Sequence, residues 1–237
     1  MPNPYFQFKQ FTIYQDKCAM KVGTDGVLLG AWVDCKNAIQ ILDVGTGTGL
    51  IAMMLAQRSF ARIHAVEVDT TAARQAEENI RESPWKNRIA VFPIPFQNIE
   101  STGKQRYDLI VSNPPYFQDS LKPPHEGRST ARHTDTLPFT DLIDGSKRIL
   151  NHNGKLAVIL PINEGEQFII LAEKAGLFCQ RKTIVIPRPG AEPKRLLLSF
   201  GLESVPCTTF ELLIETGIRH AYSEEYIELT KDFYLDK

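Results

Sequence analysis

The chain has 237 residues, 43% of them hydrophobic and 23% charged, with a net charge of −1. That is ordinary globular composition, enough for one large α/β domain, and it excludes a generally basic nucleic-acid binder. No apolar run approaches the ~20 residues of a membrane span, no signal-peptide pattern is present, and the four cysteines (Cys18, Cys35, Cys179, Cys207) form no C-x-x-C pair, so the expectation is a cytoplasmic protein with reduced thiols and no metal site.

Residues 1–20 are rich in aromatics, and Phe6, Phe8 and Phe11–Ile13 predict a short hairpin. Residues 21–26 form a polar turn, followed by a helix over 27–32 that Thr24 would cap, with Asp25 in its first turn. Residues 39–44 read as the first central strand, 45–49 as a glycine loop and 50–56 as a buried helix. Strands follow at 63–68, 88–92 and 107–111, with a helix from Thr70 or Thr71 to about Arg81. A polar loop spans 118–136, and a loop of that length is uncommon unless it is functional. An amphipathic helix over 138–150 ends at Asn151–Gly154, and Lys155–Leu160 is a fifth strand. Asn163 caps a helix that Gly176 stops. Two β-rich runs, 177–186 and 194–202, flank a proline-stiffened loop and form an antiparallel hairpin. A short strand (210–214) and a helix from Ser223 to about Asp232 complete the chain.

Strands alternating with helices predict a doubly wound, mostly parallel, seven-stranded α/β sheet with a C-terminal antiparallel hairpin. The loops after the strand ends of such a sheet form one ligand crevice.

Two stretches face that crevice. Asn113-Pro114-Pro115-Tyr116 follows a buried strand directly. The prolines stiffen the turn and leave carbonyls free of any ladder. Asn113 adds a carboxamide and Tyr116 a flat face, a set suited to a planar group that bears an NH2, such as adenine. The plain alternative is a proline-rich turn. The second stretch is Gly45-Thr46-Gly47-Thr48-Gly49, between a strand and a helix, where glycines admit a nucleotide-like ligand close to the backbone. It lacks the Gly-Lys-Ser/Thr of a P-loop, and Leu50 stands where a dinucleotide fingerprint needs glycine. Glu67, 22 residues after Gly45, is placed to take both hydroxyls of a ribose; its alternative is an exposed charge at a strand end. Asp43 lies under the loop, where it would suit a cationic amine or simply orient the loop.

Charge is uneven along the chain. Residues 121–195 carry a net +4 and residues 196–237 a net −5. The basic zone would suit a polyanion, or is a solvated surface.

Asp43 to Gly49, Ala65-Val66-Glu67-Val68-Asp69 and Asn113 to Tyr116, in this order, resemble the class I S-adenosylmethionine-dependent N-methyltransferases, over about residues 20–200. Lys21 to Trp32, then Arg128-x-x-x-Arg132-His133, then Pro187 to Gly190 with Lys194-Arg195, resemble the bacterial tRNA adenine-N6 methyltransferases, which modify adenosine 37 beside the anticodon of a valine tRNA. The resemblance implies a Rossmann-like fold, S-adenosylmethionine as cofactor and a tRNA anticodon stem-loop as partner. The expectation is a single domain over residues 1–237, acting as a monomer, with 1–35 as an extension that contributes to the cofactor site.

Carried over position by position, Thr24 and Asp25 lie near the methionine end of the cofactor. Asp43, Gly45, Gly47 and Gly49 line its amino-acid and ribose portions, and Glu67 holds the ribose. Asn113, Pro114, Pro115 and Tyr116 are the catalytic turn, with Asn113 also against the cofactor. Arg128, Arg132, His133, Arg188, Lys194 and Arg195 contact RNA phosphates. One departure concerns the adenine pocket. Such enzymes often place an acid after the third strand, where this chain has Pro95, and Phe96 would contribute its backbone N–H or its ring instead, with Gln97 or Asn98 as substitutes. Other readings are an N-methyltransferase for ribosomal RNA guanine or release-factor glutamine, a DNA adenine methyltransferase, and a cofactor- or RNA-binding module without catalysis.

Overall fold

The computed structural model describes residues 3–18, 20–102, 105–115, 137–218 and 221–235. Strands β1 (Tyr5–Gln7) and β2 (Thr12–Tyr14) pair as a small antiparallel hairpin. Then follow α1 (Thr24–Trp32), β3 (Gln40–Val44), α2 (Leu50–Arg58), β4 (Arg62–Val66), α3 (Thr70–Arg81) and β5 (Ile89–Phe92). A 3-10 helix (Phe96–Thr102) leads to β6 (Tyr107–Ser112), α4 (Phe139–Ile149), β7 (Leu150–Pro161), α5 (Ile162–Ala175), β8 (Phe178–Ile186), β9 (Arg195–Gly201), β10 (Thr208–Leu213) and α6 (Glu224–Thr230).

The large sheet has the order β10-β8-β9-β7-β6-β3-β4-β5. Among its described pairs, only β9 runs against its neighbours. It holds eight strands rather than the expected seven, because the short C-terminal run β10 adds in parallel to the edge of β8. The central strands are apolar on both faces, as a sheet covered by helices on each side requires. Ile41, Ile63, Leu109, Val111 and Ile159 face one core with α1, α2 and α6. Leu42, Val44, Ile110, Val158 and Leu160 face the other with α4 and α5.

Several boundaries differ from expectation. Thr24 is the first helical residue of α1, whose cap position is Gly23, without a side-chain bond. Asn163 likewise lies inside α5, whose cap position is Pro161. Strand β7 begins at Leu150 instead of Lys155. Leu150 pairs with Tyr107, and the ladder resumes at Leu109 with Lys155, so the intervening residues bulge. Gly154 is needed there, since a Cβ would stand 2.8 Å from the Tyr107 carbonyl oxygen. The loop expected over 118–136 lies outside the described residues.

Topology places the site. The chain winds from β3 outward to β4 and β5, then crosses back to β6 on the other side of β3. The carboxyl ends of β3 and β6 therefore open a crevice at the switch point. Val44 and Ser112 are register partners, and Ser112 Oγ donates to the Val44 carbonyl at 2.9 Å. Gly45 and Asn113, one residue further on each strand, leave the sheet side by side.

Candidate active site

The glycine loop is held from below. Gly45 N and Thr46 N both donate to the Val66 carbonyl, at 2.9 and 3.0 Å. Gly45, Gly47 and Gly49 have φ of +72°, +57° and +83°, where a side chain is strained. A Cβ on Gly45 or Gly47 would meet no described atom within 4 Å, so both glycines border open space and form a cradle. Gly49 differs: its Cβ would lie 3.5 Å from Ala76 Cβ and Ile80 Cδ1, so it seats the loop on α3.

Asp43 is fully buried beneath the loop. Its Oδ2 accepts from Thr46 Oγ1 at 2.6 Å and from Ala52 N at 3.1 Å. Ala52 N is one of the unpaired amides of the first turn of α2, whose cap residue Gly49 offers no side chain, so Asp43 does the capping from the preceding strand. Burial pushes the Asp43 carboxyl up to about 7, against the lowering effect of those two hydrogen bonds. Its Oδ1 is buried with no partner among the described residues.

Glu67 follows β4 and is half-buried. Its Oε2 accepts from Gly47 N at 2.9 Å and its Oε1 from Asp69 N at 3.0 Å. The carboxylate thus pins the loop to the start of α3, where Asp69 caps Thr71 N and Ala72 N.

The opposite wall is α1 and the segment before it. Helix α1 approaches α2 closely through Gly26 and Gly30; a Cβ on Gly30 would stand 2.8 Å from Met54 Sδ. This brings Thr24 and Asp25 over the glycine loop. Asp25 Oδ2 accepts from Arg195 Nε at 2.7 Å, both side chains about one quarter exposed.

Between the walls lies a cleft of about 340 Å³, within the range of small-ligand sites. Of the residues singled out in the sequence, Thr24, Asp25, Gly45, Gly47, Asn113 and Arg195 line it together. Asp43 and Glu67 support the loop from behind. Pro114 is buried and Pro115 exposed. Arg188 and Lys194 are exposed on the turn between β8 and β9. Tyr116, Arg128, Arg132 and His133 lie outside the described residues.

Two expectations change. The Phe96 ring is not available to a ligand: it is 5% exposed and packs on α4, where a Cβ on Gly145 would stand 2.4 Å from Phe96 Cε1. Gln97 donates from Nε2 to Asp141 Oδ2 at 2.8 Å and so also turns to α4. Arg195, expected to meet RNA phosphate, points its Nε at Asp25 inside the cleft. Sequence reasoning assigned no role in the cleft to Lys21, Val22 or Thr48, which also line it. The only sign of them was their place within the two conspicuous runs.

A cofactor with an amino acid and a nucleoside end fits these residues. The open glycine cradle admits its backbone-like body, and Asp25 sets a carboxylate in the lining of the cleft. Among the described residues, no group of three or more His, Cys, Asp or Glu is arranged to hold a metal, and no helix is long and apolar enough to cross a membrane.

Residues 20–180 match the family model of the methyltransferase small domain. A protein of Phocaeicola vulgatus named tRNA1(Val) (adenine(37)-N6)-methyltransferase is 53% identical over 237 residues, all of both chains. A protein of the same name from Trichodesmium erythraeum is 50% identical over 233 residues, 97% of each. Among solved structures, a predicted O-methyltransferase from Agrobacterium tumefaciens superposes with a TM-score of 0.69 at 21% identity, over 88% of this chain and 96% of that one, a likeness of fold. With the glycine cradle and Asn113 facing one cleft, and identity near one half along the whole chain, this protein belongs to the tRNA1(Val) (adenine(37)-N6)-methyltransferase family.

Proposed function

We propose that this protein transfers a methyl group from S-adenosylmethionine to N6 of adenosine 37 in the anticodon loop of a valine tRNA, acting as a cytoplasmic monomer. The observation that carries this reading is that Asn113 lines the same cleft as Gly45 and Gly47. The acceptor amide and the cofactor cradle thus share one space.

When bound, S-adenosylmethionine supplies an electrophilic methyl on a sulfonium. The residues of this chain position and polarise around it. Gly45 and Gly47 admit it, Thr24 and Asp25 face its methionine end, and Glu67 reaches its ribose. Asp43 holds the loop from beneath through Thr46 and Ala52. Adenine N6 is a poor nucleophile because its lone pair is delocalised into the ring. The Asn113 side-chain oxygen and the Pro114 carbonyl accept its two N–H groups, which localises the lone pair and stabilises the positive charge that develops on nitrogen. Tyr116 stacks on the base. The base must leave its stack, which costs a few kcal/mol and less in a loop than in a duplex. Arg128, Arg132, His133, Arg188 and Lys194 hold the RNA backbone. Arg195 acts from inside the cleft by fixing Asp25.

The test is nucleoside mass analysis. Total tRNA from a strain lacking the gene is incubated with the purified protein and S-adenosylmethionine. N6-methyladenosine should appear, and should be absent with Asn113→Ala while cofactor affinity is kept. Cofactor binding without methylated adenosine in tRNA would sink the substrate reading and direct the same assay to ribosomal RNA and release factors.

A further inference from the structure

Helix α3 carries two carboxamides that are almost fully buried, Gln75 and Asn79, each 1% exposed. They stand four residues apart, so the helix presents both on one face. Apolar residues would be the ordinary occupants of such positions, and each buried amide needs partners. Asn79 meets every partner it can donate to. Its Oδ1 accepts from Tyr14 N at 2.9 Å, and its Nδ2 donates to the Tyr14 carbonyl at 2.8 Å and to the Thr48 carbonyl at 2.9 Å. The carboxamide therefore pairs with Tyr14 as a neighbouring strand would, and with its second N–H it grips the glycine loop. One turn earlier, Gln75 Oε1 accepts from Lys17 N at 3.1 Å.

Tyr14 ends β2 and leads into the segment that becomes one wall of the cleft. That segment is internally tied: Val22 N donates to Gln15 Oε1 at 2.7 Å, and Lys21 Nζ donates to the carbonyls of Gln15 and Cys18. Met20 to Gly26 line one side of the cleft, and Gly45 to Thr48 line the other. Asn79 thus bonds the root of one wall and the glycine loop of the other.

We propose that Asn79, seconded by Gln75, is a positioning residue for the cofactor: it sets the spacing of the two walls and so preorganises the cleft. This rests on reading the cleft as the S-adenosylmethionine site. The residue touches neither the cofactor nor the base. Its loss should therefore appear in affinity, with the turnover at saturation kept.

The experiment uses the full chain, with S-adenosylhomocysteine as the probe in titration calorimetry. Asn79→Ala strands three backbone groups, and the affinity should fall about tenfold or more. The turnover at saturating cofactor should stay within about twofold of wild type, the scatter of independent sites. In hydrogen exchange, the amides of Tyr14, Lys17 and Val22 should lose protection. Ile143→Ala, in the core on the other face of the sheet, should lower the melting temperature as much and leave the affinity unchanged. If Asn79→Ala does not fold, Gln75→Met keeps the length and removes the acceptor for Lys17 N together with the long 3.5 Å bond from Gln75 Nε2 to Glu78 Oε2, and should weaken the probe severalfold. Unchanged affinity in Asn79→Ala, or in Gln75→Met where Asn79→Ala does not fold, overturns the proposal. So does a weakening that Ile143→Ala reproduces. Gly47→Val separates the two readings. If it abolishes binding while Asn79→Ala does not weaken it, the positioning role alone fails. If Gly47→Val leaves binding intact, the cleft is not the cofactor site and the positioning role falls with it.

Discussion

Asp43 makes the folded state sensitive to pH in a calculable way. Its carboxyl is buried completely, and desolvation raises it from 3.8 to about 7. A raised acid means that the native state binds a proton which the unfolded chain has released. Stability contributed by this group is therefore full below the unfolded value, falls as pH rises towards the folded value, and is flat above it. Each unit corresponds to 1.36 kcal/mol, so between pH 5 and pH 8 the native state should lose about 3 kcal/mol through this residue alone. Asp43→Asn is the reference. Its amide oxygen can take the place of Oδ2 and keep the bonds from Thr46 and Ala52, and it does not titrate. The assay is urea unfolding of both proteins at half-unit intervals across that window, in which all other titrating groups cancel in the difference. The wild type should lose about 3 kcal/mol relative to Asp43→Asn, with the fall finished near pH 7. Parallel curves would refute the reasoning, because the buried carboxylate would then be ionised at both ends of the window at no cost.

Three further outcomes follow from the packing. Gly30→Ala places a methyl 2.8 Å from Met54 Sδ and 3.1 Å from Met54 Cβ, and should destabilise by about 1–3 kcal/mol, read by thermal unfolding. Gly45→Val has room for its side chain but sits at φ +72°, so its folding cost should be about 1–2 kcal/mol while S-adenosylhomocysteine binding, measured by calorimetry, is abolished. Asp108 accepts from Ile39 N and Gln40 N at 2.8 and 2.9 Å and from Asn151 Nδ2 at 2.5 Å, and despite partial burial these bonds hold its carboxyl below the usual carboxylate value. Asp108→Ala should cost about 1–3 kcal/mol at neutral pH, and the difference from wild type should shrink in acid as the wild-type carboxylate is protonated, measured by urea unfolding.

The fold was legible where the physics is local. Apolar runs such as Ile41-Leu42 and Leu109-Ile110-Val111 need only a sheet covered on both faces, and their alternation with helical segments implies the parallel order. Gly176 stopped α5 as read, at φ +82°. Local reasoning failed where two local solutions compete. Thr24 and Asn163 are good caps in isolation, yet both helices start earlier, with Gly23 and Pro161 at the cap positions and no side-chain cap bond. Asn151 to Gly154 has the composition of a turn. It is a bulge within β7 because Asn151 finds Asp108 on the neighbouring strand and Gly154 fits against Tyr107. Neither partner is near in sequence.

The same division runs through the site. Gly45, Gly47 and Asn113 were readable because their place in the cleft is set by the backbone: a positive φ, or a stiff exit from a strand at the switch point. Phe96, Arg195 and Asn79 were not, because a side chain's role depends on which distant surface it reaches first. Phe96 finds a gap that Gly145 leaves in α4, and an aromatic ring offered such a gap gains more by filling it than by waiting for a ligand. Arg195 finds Asp25 across 170 residues of chain, and a guanidinium beside a half-buried carboxylate makes that pair before it meets solvent. Asn79 sits in a stretch, Gln75-Ala76-Glu77-Glu78-Asn79, whose composition is that of a solvated helix face. What distinguishes it is that two carbonyls and an amide from separate segments converge where its carboxamide lies. The cradle is therefore written in the order of residues, and the rigidity of the cradle in contacts that only the closed sheet brings together.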